Sequence, residues 1–331
     1  MSPTSHEQLS LFDLAALAST KPASPDDAVW SHSRRTQFER CLLQYYFAYY
    51  GASSRTAKFD TNKQQLRFLK DLSNRHERTG SILHLAIATY LRQVQRGSSA
   101  GFQSIAQWAR RIFSADRTFS RQYDGQPAMP STAFPPVLLR EYYYHQRDAE
   151  QMCDEAEARL IAALQTFSNG SAAGRFRFAA QLANVAIEHP FKLHLGYPPG
   201  RLEGMVDLAF SQEGQVTVAD WKLGHFDGLS DSLQLGVYAL WAGDHFDTPP
   251  DEVRLFKVFL ADDRVVEYPV SQALLAATRA RVSQDIERMA IMHPYGVAGR
   301  AEAFTPCAQV AVCAGCPFQG VCPEGRQFLN A

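Results

Sequence analysis

Residues 204–222 read GMVDLAFSQEGQVTVADWK and decide the fold. Two apolar stretches flank the polar turn SQEG, which predicts an antiparallel β-hairpin. If the loop holds two or four residues, Asp207 lies opposite Val218, and the alternation of side chains puts Asp207, Asp220 and Lys222 on one face. The two aspartates are then diagonal neighbours roughly 7 Å apart. A three-residue loop would instead put them on opposite faces of the sheet.

Two carboxylates at this spacing suit a single divalent ion. Mg²⁺ binds carboxylate oxygens, keeps several waters and can also hold a phosphate. The ion lowers the pKa of a bound water, and Lys222 beside it is placed to orient that water or to stabilise charge on the phosphorane. The pattern therefore predicts phosphodiester hydrolysis. The alternative is that the Asp-x-Lys triplet occupies the solvated face of an ordinary hairpin.

Helix and strand patterns on both sides of the hairpin predict an α/β fold. Apolar and aromatic residues at helical spacing predict two long helices, Arg34–Tyr50 and Lys63–Tyr90, and more helices over 101–185, one of them around Glu141–Leu164. Alternation from Val185 to Leu195 predicts a strand. The remaining patterns predict strands near 201–210, 215–222, 253–260 and 264–269, and helices near 230–241 and 271–291.

The chain is predicted to consist of a leader and one large domain. Residues 1–30 hold three prolines among Ser, Ala and Asp, which is typical of a flexible leader. Residues 31–331 form the domain. Its parts are a helical insertion over about 98–184, a catalytic core over about 185–270 and a cysteine-rich tail over 304–325.

Composition limits the classes of function. With 33 basic and 34 acidic residues the formal charge is −1, so DNA contact requires a local basic surface. No apolar run approaches the roughly 18 residues of a membrane span, and Met1–Pro25 lacks the order of a secretory signal, which predicts a cytoplasmic protein without membrane contact. Six cysteines in such a chain are more typical of metal ligands than of disulfides.

Two further residue pairs lie at helical spacing. Gln234 and Tyr238 share one face of the helix after the hairpin, and Gly80 and His84 share one face of an upstream helix. Glycine costs about 1 kcal/mol relative to alanine inside a helix, so a close approach of another element would explain Gly80. Taken alone, each pair is more typical of packing than of a site.

In chain order these motifs resemble the RecB-like PD-(D/E)XK nucleases. The resemblance covers about residues 34–325 and is carried by Gly80…His84, Glu188 in a strand, Gly204…Asp207, Asp220-Trp221-Lys222 and Gln234…Tyr238. It implies a restriction-endonuclease-like α/β fold, with a mixed sheet core flanked by helices. It also implies hydrolysis of DNA, with exonuclease or end-processing activity on single strands in repair, replication or defence.

The resemblance assigns a role to each matching residue. It implies that His84, Asp207 and Asp220 bind Mg²⁺ or Mn²⁺, that Lys222 is catalytic, and that Gln234 and Tyr238 support the site and the DNA. Glu188 is a weaker match to a catalytic position. The sequence departs from the family pattern at Met205, where many relatives have arginine, and in the long helical segment before Glu188. The family's substrate contacts are therefore less transferable to this chain than its chemistry.

The cysteines resemble those of the AddB and CRISPR-adaptation nucleases of this family. There, one N-terminal and three C-terminal cysteines hold a [4Fe–4S] cluster, which implies that Cys41, Cys313, Cys316 and Cys322 do so here. The alternatives are zinc bound by the same thiols or by the four tail cysteines including Cys307, and unligated thiols. Cys153 is interpreted as a packing residue and Cys307 as a spare thiol.

Other segments suggest partners. Gln8-Leu9-Ser10-Leu11-Phe12 resembles the peptide that docks bacterial DNA-processing proteins on the sliding clamp, although its apolar residues could equally fold onto this chain's core. No helicase P-loop is present, so duplex unwinding would need a helicase partner or breathing ends. The phosphate-contacting surface has seven candidates: Arg34, Arg35, Arg40, Arg110, Arg111, Arg117 and Arg121.

Two other classes of function remain open at this point. The chain could be a catalytically silent DNA-binding or scaffold subunit that keeps the fold and the cysteine cluster. It could also be a zinc-stabilised adaptor that binds a clamp or another protein through its leader and tail. An intact set of Asp207, Asp220 and Lys222 favours the nuclease over the silent subunit.

Overall fold

The computed structural model describes residues 29–52, 60–97, 101–125, 134–195, 200–228, 232–292 and 301–329. Six strands in these ranges form one mixed sheet. They are β1 (Val29–Trp30), β2 (Val185–Leu195), β3 (Gly200–Gln212), β4 (Gln215–Lys222), β5 (Val253–Phe259) and β6 (Arg264–Tyr268).

The long strand β3 organises the sheet. One edge of β3 pairs antiparallel with β2, and the other pairs with β4 and, nearer its start, with the short parallel strand β1. Strand β5 then pairs parallel with β4, and β6 closes the sheet antiparallel to β5. The chain predicted as leader over 1–30 therefore enters the sheet at Val29 and Trp30.

The predicted hairpin is confirmed, but its register is not the predicted one. Gln212 pairs with Gln215 and Leu208 with Ala219, so the next step places Asp207 opposite Asp220 rather than opposite Val218. The loop is Glu213-Gly214, with φ of 51° and 81°, as a tight two-residue hairpin turn requires. The shift is two residues, which keeps both aspartates on one face but makes them direct rather than diagonal neighbours.

Helices cover both faces of the sheet. They are α1 (His32–Arg40), α2 (Leu42–Tyr46), a π-helical turn (Phe47–Gly51), α3 (Thr61–Lys70), α4 (Arg75–Gln95), α5 (Phe102–Arg121), α6 (Arg140–Tyr143), α7 (Ala149–Asn169), α8 (Gly174–Arg177), α9 (Ser232–Phe246), α10 (Gln272–Ile291) and α11 (Val310–Cys313). Short 3₁₀ turns span Phe178–Gln181, Pro250–Glu252, Ala301–Ala303 and Gly325–Phe328. Among the described residues, no helix combines the length and apolarity needed to cross a bilayer.

Alternating residues of the strands pack into two separate hydrophobic cores. Phe210 and Trp221 point to the face covered by α4, α5 and α7. Val218 and Leu255 point to the opposite face, where α9 and α10 pack. Since both faces are buried, the sheet lies in the middle of the domain, and polar groups on it are candidates for function.

Both long helices predicted upstream are broken. At Cys41 the backbone is extended, and the amide of Leu43 donates to the carbonyl of Thr305 at 3.3 Å, so contact with the tail ends α1. The second break follows Lys70, where Ser73 forms a β-bridge to Leu139. Helix α4 then starts with a capping box between Asn74 and Glu77, a local signal present in the sequence.

Candidate metal and catalytic site

One cavity brings together all seven side chains predicted for the site. It measures about 620 Å³ and lies where α4, α9 and the centre of the sheet meet. Its lining includes His84, Glu188, Asp207, Asp220, Lys222, Gln234 and Tyr238. These residues come from five different elements, so the cavity exists only in the folded domain.

Three of these residues have ligand atoms close enough to share an ion. His84 Nδ1 lies 3.3 Å from Glu188 Oε1 and 3.2 Å from Asp207 Oδ1. One ligand atom from each of these three residues lies within 4.8 Å of the other two. The sequence predicted His84, Asp207 and Asp220 as metal ligands. In the structure Glu188 takes the third place beside His84 and Asp207, and Asp220 lies next to this group.

Glu188 reaches the cavity from a distorted point in β2. Ile187 pairs with Leu208 and His189 with Val206, and between them Glu188 has a φ of 44°, which is unusual for a non-glycine residue. Arg92 donates to the carbonyl of Ile187 at 2.8 Å and so holds this distortion from α4. Arg92 was not among the residues predicted for the site, because its only sequence signal is its place two helical turns after His84 on the same face.

A closed ring of polar contacts surrounds Asp220. Lys222 Nζ lies 2.6 Å from Asp220 Oδ2 and 3.5 Å from Gln234 Oε1. Gln234 Nε2 donates to the Tyr238 hydroxyl at 3.0 Å, and that hydroxyl donates to Asp220 Oδ1 at 3.3 Å. The spacing of Gln234 and Tyr238 on α9 therefore serves to orient the carboxylate and the lysine.

Burial and charge perturb the protonation of the site. Burial disfavours the charged imidazolium of His84, but Asp207 and Glu188 outweigh it and raise the pKa of His84 well above its ordinary value. Burial, then the charge of Asp207, raises the pKa of Asp220, against the effect of Lys222. The pKa of Tyr238 is also raised, by burial and by Asp220. Without a cation, the carboxylates of the site are too close together and too deeply buried for all of them to be charged.

The donors present fit a hard divalent cation. Asp207 and Asp220 are only 5% and 2% exposed, and Glu188 Oε1 and Asp220 Oδ2 are in ionic contact with His84 and Lys222. The second oxygen of Asp207 accepts from the Trp221 amide at 2.8 Å, which leaves its partner oxygen directed to His84. Carboxylate oxygens supplemented by one imidazole suit Mg²⁺ or Mn²⁺.

The two glycines of the predicted motifs, Gly80 and Gly204, have different surroundings. A Cβ at Gly204 would collide with the ring of Phe191, its partner on β2, so only glycine allows that packing. At Gly80 a Cβ would meet nothing within 4 Å, so the expected close approach of another element is absent. Gly80 instead lines the cavity and leaves room there. Met205, the departure from the family pattern, lines the same cavity and is 44% exposed.

A second group of residues places five thiols around one small cavity of about 20 Å³. Its lining includes Cys41 from the junction of α1 and α2, and Cys307, Cys313, Cys316 and Cys322 from the tail. Cys307, interpreted from sequence as a spare, lies against Cys41 and Cys313. Burial raises the pKa of both thiols, and the neighbouring Cys307 thiol adds to the rise. Cys153 is fully buried in the core formed by α4, α5 and α7, as expected of a packing residue.

The thiols around this cavity are not gathered as closely as a single tetrahedral ion requires. Tetrahedral zinc, with zinc–sulfur bonds near 2.3 Å, brings its sulfurs to about 3.8 Å from one another. Within the described residues no three thiols lie within 4.8 Å of one another. Burial raises the pKa of Cys316 to about 12 and that of Cys313 to about 11, so ligand formation must displace protons.

Five of the seven candidate arginines contact aromatic or acidic side chains of this chain. Arg34 is enclosed by Tyr45, Tyr49 and Tyr50 and donates to two of their hydroxyls. The others with described ionic partners contact this chain's own acids: Arg35 contacts Glu39 and Asp285, Arg110 contacts Glu157, Arg117 contacts Glu150, Asp154 and Glu157, and Arg121 contacts Glu150. For these five arginines, the prediction of a free basic patch was wrong.

Comparison with known proteins identifies a family. Residues 29–323 match the model of the PD-(D/E)XK nuclease superfamily. No curated protein matches the chain significantly.

Two solved structures show some likeness. The crystal structure of SSO0001 is 18% identical in sequence and has a TM-score of 0.28. The match covers 53% of this chain and 80% of that chain. A protein from Eubacterium rectale described as a "putative exonuclease" is 9% identical and has a TM-score of 0.41. That match covers 97% of this chain and 94% of that chain. Because both TM-scores are below 0.5, we draw no conclusion from either.

Proposed function

Because the chain belongs to the PD-(D/E)XK nuclease superfamily, we propose that it hydrolyses phosphodiester bonds of DNA with Mg²⁺ or Mn²⁺. The proposed activity is exonucleolytic or end-processing, on single-stranded DNA, in repair, replication or defence. The observation that carries this proposal is the convergence of His84, Glu188, Asp207, Asp220 and Lys222 on one cavity. A silent scaffold would not need to keep buried acids together beside a lysine at a cost in stability.

We assign the roles within this site as follows. His84, Asp207 and Glu188 would hold the metal, with Asp220 beside them, and the bound cation would acidify a water and neutralise charge on the phosphate. Lys222 orients that water or stabilises negative charge that develops on the phosphate oxygens, since its ammonium faces the cavity at the edge of the acid group. Gln234 and Tyr238 act through Lys222 and Asp220, which they hold in place.

The cysteine cavity supports a finer assignment to the RecB-like branch with a [4Fe–4S] cluster. We propose Cys41, Cys313, Cys316 and Cys322 as its ligands, with a chiefly structural role of joining the chain's two ends. Tyr144 donates to the carbonyl of Pro317 at 2.6 Å, and Arg140 donates to that of Gly315, so α6 buttresses the same tail. Cys307 is the alternative fourth thiol.

The remaining partners and the domain limits stay predictions. The sliding-clamp peptide over residues 8–12 lies outside the described residues. Binding of a helicase, the cytoplasmic location and the division into a leader, an insertion near 98–184, a core near 185–270 and a tail over 304–325 are proposed on sequence grounds alone.

Cleavage of labelled single-stranded DNA tests the nuclease proposal. The wild-type protein should release label with Mn²⁺ or Mg²⁺ and not with EDTA, and Asp220→Asn should abolish release without changing the fold. Asp244→Asn, at an exposed position on α9, is the matched control and should remain active. Cleavage that persists in Asp220→Asn would refute the assignment, and an inactive wild-type protein would favour the scaffold.

The visible spectrum of protein purified without oxygen tests the cluster. Absorption near 400 nm with bound iron is expected, and Cys316→Ala should lose both, whereas Cys153→Ala should keep them. Colourless protein that contains zinc would contradict the iron–sulfur assignment.

A further inference from the structure

A second cavity of about 610 Å³ adjoins the catalytic cavity. The side chain of His76, at the start of α4, lines both of them. The other walls come from α7 and from the two segments that follow β4 and β5, including Leu223-Gly224-His225 and Leu260-Ala261. Because β4 and β5 are parallel, the cavity lies at their carboxyl ends, where α/β sheets commonly bind ligands.

Backbone connections place the second cavity close to Lys222. Leu223 directly follows Lys222, and the amide of Leu260 donates to the carbonyl of Lys222 at 2.9 Å. Asp262 accepts from the Phe226 amide and contacts His225 Nδ1, both at 2.6 Å, which ties the two segments together. These contacts hold the two segments in place, so the cavity is preformed, and it shares the wall at His76 with the catalytic cavity.

The lining combines apolar surfaces, two imidazole rings and one guanidinium, which suits a flat ring attached to a phosphate chain. Ala156, Ala162 and Ala163 present small apolar surfaces from α7, opposite Leu223 and Leu260. The imidazoles of His76 and His225 offer planar surfaces, and the guanidinium of Arg159 stands at the rim with a side chain 56% exposed. A volume near 610 Å³ is within the range of roughly 300–1,000 Å³ usual for small-molecule sites.

We propose that this cavity binds the unpaired base of the nucleotide beside the scissile phosphate. The inference rests on the proposed nuclease function and extends it to the choice of substrate. A base in a duplex must be unpaired and unstacked before it can enter such a cavity, whereas a base in a single strand enters without that cost. The cavity therefore selects single-stranded DNA without reading its sequence, because every base has a flat face to bury.

Cavity-filling variants test this proposal from two walls. At Gly224 a Cβ meets nothing within 4 Å, and Ala162 is exposed on the cavity side of α7, so Gly224→Leu and Ala162→Leu should both fold. The matched control is Gly101→Leu, where a Cβ also has open space and the residue lines neither of the two cavities. Thermal unfolding midpoints near that of the wild-type protein would establish that the variants are folded.

Kinetics on normal and abasic single strands of equal length give the decisive comparison. The wild-type protein should cleave the abasic strand with about a tenfold lower kcat/KM, since a buried base commonly contributes that much or more. Each cavity variant should lose a similar factor on the normal strand and change little on the abasic one. Equal losses on both strands, or no loss on either, would overturn the base site.

A separate binding measurement keeps the base site distinct from the nuclease function. If the wild-type protein cleaves neither strand, the proposed function fails, and an oligothymidylate that contains 2-aminopurine is then titrated in EDTA. A fluorescence change with wild-type protein and Gly101→Leu, but not with Gly224→Leu or Ala162→Leu, would support the cavity as a base site. No change with wild-type protein would overturn it.

Discussion

Replacing Tyr238 by phenylalanine removes a single hydroxyl from the polar ring around Asp220. The Tyr238 side chain is buried, and its ring packs in the core formed by α9 and α10, so the variant should fold normally. The hydroxyl donates to Asp220 at 3.3 Å and accepts from Gln234 at 3.0 Å. Its loss leaves Asp220 dependent on Lys222 alone within this ring.

The size of the effect follows from these contacts. A hydrogen bond to a charged group contributes roughly 1.5–3 kcal/mol, and the long contact to Asp220 points to the lower end. A loss of about 1.5 kcal/mol from the transition state lowers kcat about tenfold. Since the hydroxyl stabilises the carboxylate form, removing it should also raise the pKa of Asp220 further, so the acidic limb of the pH–rate profile should move to higher pH.

Steady-state cleavage of single-stranded DNA with Mn²⁺ over a range of pH measures both effects. Tyr90→Phe is the matched control, because that hydroxyl has no hydrogen-bond partner among the described residues and the ring only packs against Phe102 and Phe167. A Tyr238→Phe enzyme with unchanged kcat and an unmoved acidic limb would refute the claim that the ring orients Asp220. A change in KM alone would instead place Tyr238 in substrate binding.

Three more predictions follow from the fold and the site. Gly204→Val should lower the free energy of unfolding by about 1–3 kcal/mol, because its side chain overlaps the ring of Phe191, and urea unfolding with an unchanged midpoint would contradict this. Asp116→Ala should cost about 3 kcal/mol or more, because Asp116 is fully buried and accepts from Arg78 at 2.7 and 3.1 Å and from the Val137 amide at 2.8 Å. Asp154→Ala, at an exposed partner of Arg117, serves as its control in the same unfolding experiment and should change stability by less than about 1 kcal/mol. Finally, the pKa values of His84 and Asp220 are both raised, so bound protons compete with the metal, and the affinity for Mn²⁺ measured by calorimetry should increase with pH. An affinity that does not depend on pH would show that neither group must lose a proton.

The shared face of Asp207, Asp220 and Lys222 could be predicted because strand alternation is a local property. Asp207, Asp220 and Lys222 stay on one face when the register shifts by two residues, so the error in the register did not change this part of the prediction. The spacing of Gln234 and Tyr238 was similarly sufficient to place both on one side of α9. What local periodicity could not supply was the direct opposition of the two aspartates.

The contributions of Glu188 and Arg92 depend on contacts between distant parts of the chain. A left-handed backbone at a glutamate has no sequence signal, and the bond from Arg92 to Ile187 that supports it joins residues 95 positions apart. The break at Cys41 is tertiary for the same reason, since the tail carbonyl of Thr305 ends the helix. The acidic partner of Arg117 and Arg121 could not be predicted either, because Glu150 lies on α7 and meets them only when α5 packs against that helix.

Cleavage of single-stranded DNA with Mn²⁺ in water enriched in ¹⁸O tests the central claim most directly, by the mass of the released nucleotides. Metal-dependent hydrolysis at this site predicts one ¹⁸O in each newly formed phosphate end, and no product with EDTA or with Asp207→Asn. Product without ¹⁸O, or labelled product formed equally by Asp207→Asn, would show that water activated at the site of His84, Glu188 and Asp207 does not carry out the reaction.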